Sequence, residues 1–264
     1  MTVTATHAPG TFCWIELAAH DNDAARAFYT ALLGWSVNET RYGDGPNDVY
    51  YIYQLNGADA AASYPMDPGQ KEAGMPSAWL LYVAVEDVEA SAARAREAGG
   101  TLLMEPFDVM AHGRMALVQD PMGAPFALWQ PLSHPGVGVR DEPGSLCWSE
   151  LATPDAGRAR DFYTGLFGWG TQPFEGPVPY TMFTLGEQMV GGMYQPTPDM
   201  QMPPTWLPYF AVADADAAAE QVRALGGTVL MGPDDIPGVG RSVLAQDPQG
   251  AMFYVIKLVY PDQS

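Results

Sequence analysis

Its 264 residues, 47% of them hydrophobic, allow the chain to bury the core of one large domain or of two ordinary ones. Thirty-one acidic residues against 12 basic ones give a formal net charge of −19, which disfavours nucleic acid and anionic membrane surfaces as partners. The sequence has neither an apolar run near the roughly 20 residues of a membrane helix nor a secretion signal in residues 1–10, so we expect a cytoplasmic protein.

The first half of the chain predicts two strand–helix units in succession. Residues 12–19 alternate between two sets of side chains, as a half-buried strand does. Asp21 is placed to cap a helix that Gly34 ends, and a second helix is predicted over residues 88–98. The remaining strands are predicted over residues 36–40, 50–55, 58–64 and 79–85, near Leu102, and over residues 115–119 and 124–130. The order βαβββ therefore occurs twice in this half.

The second half of the chain repeats the first. The ten residues from Pro9 (PGTFCWIELA) match the ten from Pro143 (PGSLCWSELA), 134 positions later, and the similarity continues in the same order to the end. This indicates a duplicated domain, with a linker where glycine and proline are frequent. We predict a first domain over residues 1–133, a linker over 134–143 and a second domain over 144–264.

Two longer motifs occur in both copies. The motif Phe-Tyr-x-x-Leu-x-Gly-Trp closes the first helix of each copy and ends at Trp35 and Trp169. The motif Asp-Pro-x-Gly, which begins at Asp120 and Asp247, directly precedes the last strand of each copy. These motifs and the order of the modules together resemble the vicinal oxygen chelate (glyoxalase/bleomycin-resistance/dioxygenase) superfamily. The resemblance is strongest to its tandem two-domain members that are labelled as hydroxylases. The resemblance covers nearly the whole chain. It implies an α+β fold in which paired βαβββ modules form a cup-shaped mixed sheet with helices outside.

The resemblance also locates where a metal site would be. Catalytic members of the superfamily hold a divalent metal in the cup through His or Glu side chains from the first, middle and last strands. The matching positions in this sequence are Trp14, Leu80 and Ala127 in the first copy, and Trp148, Leu207 and Tyr254 in the second. None of these is a normal metal ligand, so no cofactor is expected. A divalent metal held by other residues remains an open alternative.

Glu16 and Glu150 are the candidate catalytic residues. Each follows the tryptophan of its copy by two positions, so strand alternation directs it to the same face, into the cup. A carboxylate among aromatic and apolar side chains suits general acid/base chemistry. The structural alternative is that each carboxylate only satisfies a neighbouring backbone group or tyrosine, or pairs with Arg114 or Arg241.

Aromatic and apolar side chains are predicted to line the rest of each cup. Alternation directs the following residues inward: Trp14, Leu80, Tyr82 and Trp129 in the first copy, and Trp148, Leu207, Tyr209, Tyr254 and Ile256 in the second. Such walls suit a flat, largely apolar ligand, with Arg114 or Arg241 orienting one of its oxygens. The same residues would equally serve as a core that fills the cup.

These patterns favour a protein that binds a small aromatic or polyketide-like molecule in one or both cups. Its chemistry would be metal-independent, with Glu16 or Glu150 as the acid or base. One alternative is a metal-dependent lyase, isomerase or oxygenase/hydroxylase with unusual ligands drawn from Glu16, Glu150 and His112. Another is a structural protein with filled cups. Whether the protein is an enzyme is left open, and both a monomer and a homodimer are compatible with two similar domains on one chain.

Overall fold

The predicted α+β class and the predicted module order are both confirmed by a computed structural model of the chain. Each sequence copy forms one eight-stranded mixed sheet with helices. The structure describes residues 7–45, 48–175, 179–197, 200 and 202–259. The outermost residues of the two predicted domains, 1–6 and 260–264, lie outside this part.

The first copy forms strands and helices in the predicted order. These are β1 (Phe12–Ala19), α1 (Asn22–Leu33), β2 (Ser36–Arg41), β3 (Val49–Leu55), β4 (Ala58–Pro65), α2 (Pro68–Glu72), β5 (Ala78–Ala84), α3 (Val88–Glu97), β6 (Thr101–Val109), β7 (Gly113–Gln119) and β8 (Pro125–Pro131). Asp21 caps α1 by accepting a hydrogen bond from the Ala24 amide, and Gly34 ends the helix with a left-handed φ of 71°. The short helix α2 was not predicted, although Asp67 caps it and Pro68 begins it.

The second copy repeats this arrangement. Its elements are β9 (Leu146–Ala152), α4 (Ala156–Phe167), β10 (Gly170–Phe174), β11 (Tyr180–Leu185), β12 (Gln188–Tyr194), β13 (Thr205–Ala211), α5 (Ala215–Ala224), β14 (Thr228–Ile236), β15 (Gly240–Gln246) and β16 (Met252–Leu258). No helix in the described part of the chain is long and apolar enough to cross a membrane.

The two sheets have the same strand order. It is β2-β3-β4-β1-β5-β8-β7-β6 in the first copy and β10-β11-β12-β9-β13-β16-β15-β14 in the second. The first strand of each module pairs in parallel with the last strand of that module, so that Glu16 lies opposite Ala62 and Glu150 lies opposite Gly192. The other pairs within a module are antiparallel. Each module is thus a small mixed sheet with its helix on one face.

The compact units of the chain do not coincide with the two predicted domains. Unit 1 consists of Met1–Trp14, Leu80–Gly136 and Trp148–Leu207, and unit 2 consists of Ile15–Trp79, Val137–Cys147 and Pro208–Ser264. Each unit therefore combines one βαβββ module from each sequence copy. The predicted boundary separates the two sheets but passes through both units.

A buried Trp–Tyr–Asp triplet joins the two modules of unit 2. Trp79 Nε1 donates a hydrogen bond to the Tyr29 hydroxyl (3.1 Å), which in turn donates to Asp247 Oδ2 (3.2 Å). Phe28, next to this tyrosine on α1, packs edge-on against Phe253 of β16, with ring centroids 6.1 Å apart. The Phe-Tyr motif of the first copy therefore packs on the Asp-Pro-x-Gly motif and last strand of the second copy.

Unit 1 contains the reciprocal triplet. Trp206 Nε1 donates to the Tyr163 hydroxyl (2.8 Å), and that hydroxyl donates to Asp120 Oδ2 (3.0 Å). Asp120 Oδ1 also accepts the backbone N–H groups of Met122 and Ala124. Burial, and next the charge of Asp120, raise the pKa of Tyr163 well above its ordinary value, so the phenol stays a neutral donor. The two family motifs are thus hydrogen-bonded partners across the two copies.

Candidate functional site

A buried carboxylate–phenol pair marks the second copy. Glu150, on β9, is only 5% exposed, and its carboxylate is hydrogen-bonded to the hydroxyl of Tyr180 at the start of β11. Trp148 Nε1 donates to the same hydroxyl at 2.8 Å. A Cβ at Gly192 would overlap the Tyr180 ring, so this glycine provides the space in which the ring lies. All four residues belong to unit 1.

The electrostatics of this pair separate a proton donor from a proton acceptor. Burial raises the pKa of Tyr180 well above its ordinary value, and the negative charge of Glu150 raises it further. The phenol therefore stays protonated throughout the neutral range. The arrangement places a neutral O–H donor next to a buried carboxylate, which is the combination that general acid/base chemistry on a ligand requires.

The first copy has the same pair in unit 2. The Tyr50 hydroxyl donates to Glu16 Oε2 at 2.6 Å. Tyr64 lies on the neighbouring strand β4, and burial, with a smaller contribution from the Glu16 charge, raises its pKa. Glu16 itself is half-buried, whereas its counterpart Glu150 is buried.

The tyrosines of these pairs were not among the predicted site residues. Tyr50 and Tyr180 are equivalent in the repeat, since each precedes by five positions the leucine that ends its strand, Leu55 or Leu185. Comparing the two copies for polar residues that recur at matched positions would have found them. The predicted glutamates alone gave no indication of which strand supplies the hydroxyl.

Three predicted aromatic residues of the first copy lie in unit 1, together with a histidine of the linker. The imidazole of His134 packs edge-on against Trp14, with ring centroids 4.4 Å apart, and also contacts Trp129 at 6.1 Å. The ring of Tyr82 packs against Trp129, and its hydroxyl donates to the sulfur of Met115 at 3.9 Å. Trp14, Tyr82 and Trp129 are all buried. We call these three residues the first aromatic face.

Two predicted aromatic residues of the second copy stack on each other in unit 2. The rings of Tyr209 and Tyr254 are nearly parallel, with centroids 4.0 Å apart and an interplanar angle of 11°. Leu207 is buried and Leu80 is half-buried. Ile256 is also buried. Both tyrosines are buried, and their role in lining a ligand site stays a prediction.

Arg114, which was predicted to orient a ligand oxygen, is held in two ion pairs in the structure. Its guanidinium pairs with Glu89 on helix α3 and with Asp108 on strand β6. The next residue, Met115, instead contacts Tyr82 of the first aromatic face. Because successive side chains of a strand alternate, Arg114 lies on the helix-covered face of the sheet, opposite to Met115.

Arg241 is engaged in the same way in the second copy. It pairs with Asp216 on helix α5 through Nε and with Asp235 on strand β14 through Nη1. The hydrogen bonds that Arg241 donates to both carboxylates raise the pKa of its guanidinium. Both predicted arginines therefore link a helix to an edge strand, and neither is included in the candidate site.

The residues that the structure describes do not fit a divalent metal. They contain no group of three or more His, Cys, Asp or Glu side chains that could hold an ion. His112, the histidine considered as an unusual ligand, is exposed, and its Nδ1 lies 3.4 Å from Ser133 Oγ. The tryptophans, leucines, alanine and tyrosine at the positions where the superfamily has its ligands offer no imidazole or carboxylate.

Comparison with known proteins agrees with the architecture. Residues 11–128 and 131–255 each match the Glyoxalase/Bleomycin resistance protein/Dioxygenase superfamily. A protein of Mycobacterium tuberculosis named "Putative glyoxylase CFP32" is 41% identical over 250 residues, which cover 94% of this chain and 95% of that protein. The "Anthracycline biosynthesis protein DnrV" of Streptomyces peucetius is 36% identical over 266 residues, 95% of this chain and 94% of that protein.

Solved structures share the fold at low sequence identity. The Mn(II)-bound glyoxalase from Novosphingobium aromaticivorans aligns with a TM-score of 0.63 and 15% identity, covering 94% of this chain and 82% of that one. The 2,3-dioxygenase LapB from Pseudomonas sp. KL28 aligns with a TM-score of 0.65 and 14% identity, covering 98% and 97%. At these identities the likeness concerns the fold alone.

Proposed function

Since the chain belongs to the Glyoxalase/Bleomycin resistance protein/Dioxygenase superfamily, we propose that it binds a small, flat, largely aromatic molecule and moves a proton on it without a metal. The observation that carries this proposal is the carboxylate–phenol pair, present at the same strand positions in both copies as Glu16–Tyr50 and Glu150–Tyr180. Buried carboxylates are costly unless they are hydrogen-bonded, and the phenol meets that requirement.

The chemistry around the pair favours an aromatic ligand with oxygen substituents. The Trp148 indole lies against the pair, and aromatic rings of this kind stack on planar ligands. One relative that covers nearly the whole chain is named for anthracycline biosynthesis, and we extend that chemical class, the aromatic polyketides, to the ligand of this protein. The first copy of the chain carries a comparable set of indole and phenol rings.

The pair can act on a carbonyl-bearing ligand in one balanced step. Glu150 accepts the proton from a carbon next to the carbonyl. The electron pair of that C–H bond forms a C=C bond, and the π electron pair of the carbonyl moves to its oxygen, giving an enolate. The carboxylate loses its charge in this step, so it no longer competes for the hydroxyl of Tyr180. That hydroxyl can then donate to the enolate oxygen. Returning the proton at another atom of the ligand restores the pair.

The test of binding uses 1,8-dihydroxyanthraquinone, a planar phenolic quinone, titrated into the full-length protein by calorimetry. We expect saturable binding, and we expect Glu150→Gln to raise the Kd by at least about tenfold, or ~1.4 kcal/mol, because a charged hydrogen-bond acceptor is lost. Glu187→Gln, an exposed carboxylate in the turn between β11 and β12, serves as the matched control and should leave the Kd unchanged. Absence of binding to the wild-type protein would refute the proposed ligand class, and an unchanged Kd in Glu150→Gln would refute the role of the pair.

Metal content separates this proposal from the metal-dependent alternative. We expect protein purified without an affinity tag or a chelator to hold well below one equivalent of any divalent transition metal, measured by plasma mass spectrometry. The reason is that the described donor set offers no three-ligand group. One or two tightly held equivalents, lost in Glu150→Gln or His112→Ala, would contradict the proposal. That result would instead favour a metal-dependent lyase, isomerase or oxygenase.

A further inference from the structure

The linker between the two copies contacts the first aromatic face. His134 is the first linker residue, and its imidazole packs edge-on against Trp14 with centroids 4.4 Å apart. Its backbone carbonyl accepts a hydrogen bond from Trp129 Nε1 at 3.0 Å. The side chains of Trp14 and Trp129 are only 4% and 5% exposed. Both indoles therefore have the linker histidine as a direct neighbour.

Gly136 fixes this segment close to strand β1. Its φ is 122°, in the region that favours glycine, and a Cβ at this position would overlap the carbonyl of Cys13. Cys13 immediately precedes Trp14 on the strand. The close backbone approach and the left-handed conformation hold Gly136 against strand β1 beside Trp14, and His134 lies two residues earlier on the same segment.

The indole at the equivalent position of the second copy has different surroundings. Trp148 is half-buried, whereas Trp14 is buried. Trp148 Nε1 donates to Tyr180 of the carboxylate–phenol pair, so its ring is held next to Glu150. All of these residues belong to unit 1: Trp14 and His134 from the first copy and linker, and Trp148, Glu150 and Tyr180 from the second copy.

We infer that the imidazole of His134 takes the place of a ligand ring on the first aromatic face, so that the ligand binds in the second copy, at Trp148, Tyr180 and Glu150. Edge-on packing at 4.4 Å is one of the two arrangements that aromatic rings prefer, so the imidazole occupies space on the indole that a ligand ring would need. This inference deepens the proposed function and rests on it for the ligand, but the closure of the first face is a property of the chain itself.

Hydroxyl-radical footprinting with mass spectrometry tests the closure without any ligand. In the full-length protein, we expect Trp148 to be oxidised several times faster than Trp14. His134→Ala should raise the oxidation rate of Trp14 several-fold and leave that of Trp148 unchanged. His20→Ala, which removes an exposed histidine of unit 2, is the matched control and should change neither rate. Equal rates for the two indoles in the wild-type protein, or no response of Trp14 to His134→Ala, would overturn the inference.

Calorimetry with 1,8-dihydroxyanthraquinone then tests the assignment of the ligand. We expect one equivalent to bind to the wild-type chain, Glu150→Gln to bind it at least about tenfold more weakly, and His134→Ala to bind a second equivalent. Two equivalents on the wild-type chain, or one whose Kd is unchanged in Glu150→Gln, would overturn the inference while the proposed ligand class stands. Unequal oxidation of the two indoles with no binding at all would refute the proposed function and leave the closure of the first face supported.

Discussion

Residues 1–141, produced without the rest of the chain, are expected not to form a stable folded monomer. In the full chain this segment supplies one module to each compact unit, and each of those modules packs on a module of the second copy. In the isolated segment, Phe28 would lose its packing contact with Phe253, and Phe126 would lose its packing contact with Phe162. Burying one large side chain of this kind contributes about 1.5–3 kcal/mol. A few such losses approach the whole stability of a domain, roughly 5–15 kcal/mol.

The measurement is near-ultraviolet circular dichroism with analytical ultracentrifugation of the isolated segment. The control is the full chain with a protease site inserted between the exposed residues Asp141 and Glu142, cut after purification. Its two fragments should remain associated and unfold cooperatively, because every unit keeps both of its modules. A monomeric segment 1–141 with native-like aromatic signals and a cooperative unfolding transition would show that the sequence copies, and not the compact units, are the folding domains.

The order of elements could be predicted because its signals are local. Asp21 and Gly34 mark the ends of α1 through a side-chain cap and a left-handed backbone, and each depends only on neighbouring residues. Alternation along β9 was also informative, since Trp148 and Glu150 both contact Tyr180, as two residues on one face of a strand can. The helix α2 was missed because it has only five residues and no apolar periodicity.

The arginines show where sequence reasoning reached its limit. Arg114 and Met115 are adjacent, so one faces the helices and the other the opposite side, but a shift of one residue would exchange them. The sequence around the Gly-Arg pair does not fix this choice. It is decided by the pairing of β7 with β6 and β8, which places Arg114 opposite Asp108 and Gln130. Such long-range register could not be derived from the local pattern.

The partners of the two family motifs were equally inaccessible from the sequence. Both copies carry the tyrosine and the aspartate, so pairing within a copy and pairing between copies satisfy the sequence equally well. The structure selects pairing between copies, Tyr29 with Asp247 and Tyr163 with Asp120. This exchange explains why the compact units differ from the sequence repeats, and it gives the motifs a structural role.

The second large effect is expected for Asp120→Ala in the triplet of unit 1. This change removes the acceptor of the Tyr163 hydroxyl and of the Met122 and Ala124 amides, leaving two buried donors and one partly buried donor without their partner. Each unsatisfied buried donor costs about 1–3 kcal/mol, so we expect a loss of roughly 4 kcal/mol in the free energy of unfolding. Denaturant titration followed by tryptophan fluorescence measures this loss. Asp44→Ala, an exposed aspartate, should change the same quantity by less than about 0.5 kcal/mol.

A double-mutant cycle with Tyr163→Phe identifies the origin of that loss. The single change Tyr163→Phe leaves Asp120 Oδ2 and Trp206 Nε1 without the hydroxyl that they share, so we expect it to cost about 2 kcal/mol. Once Asp120 is alanine, removing the hydroxyl eliminates a donor that already lacks its acceptor. The double variant should therefore be more stable than the sum of the single losses predicts, by about 1 kcal/mol. Strict additivity would show that the hydroxyl and the carboxylate act independently, and that the exchanged motifs are held together by the aromatic packing alone.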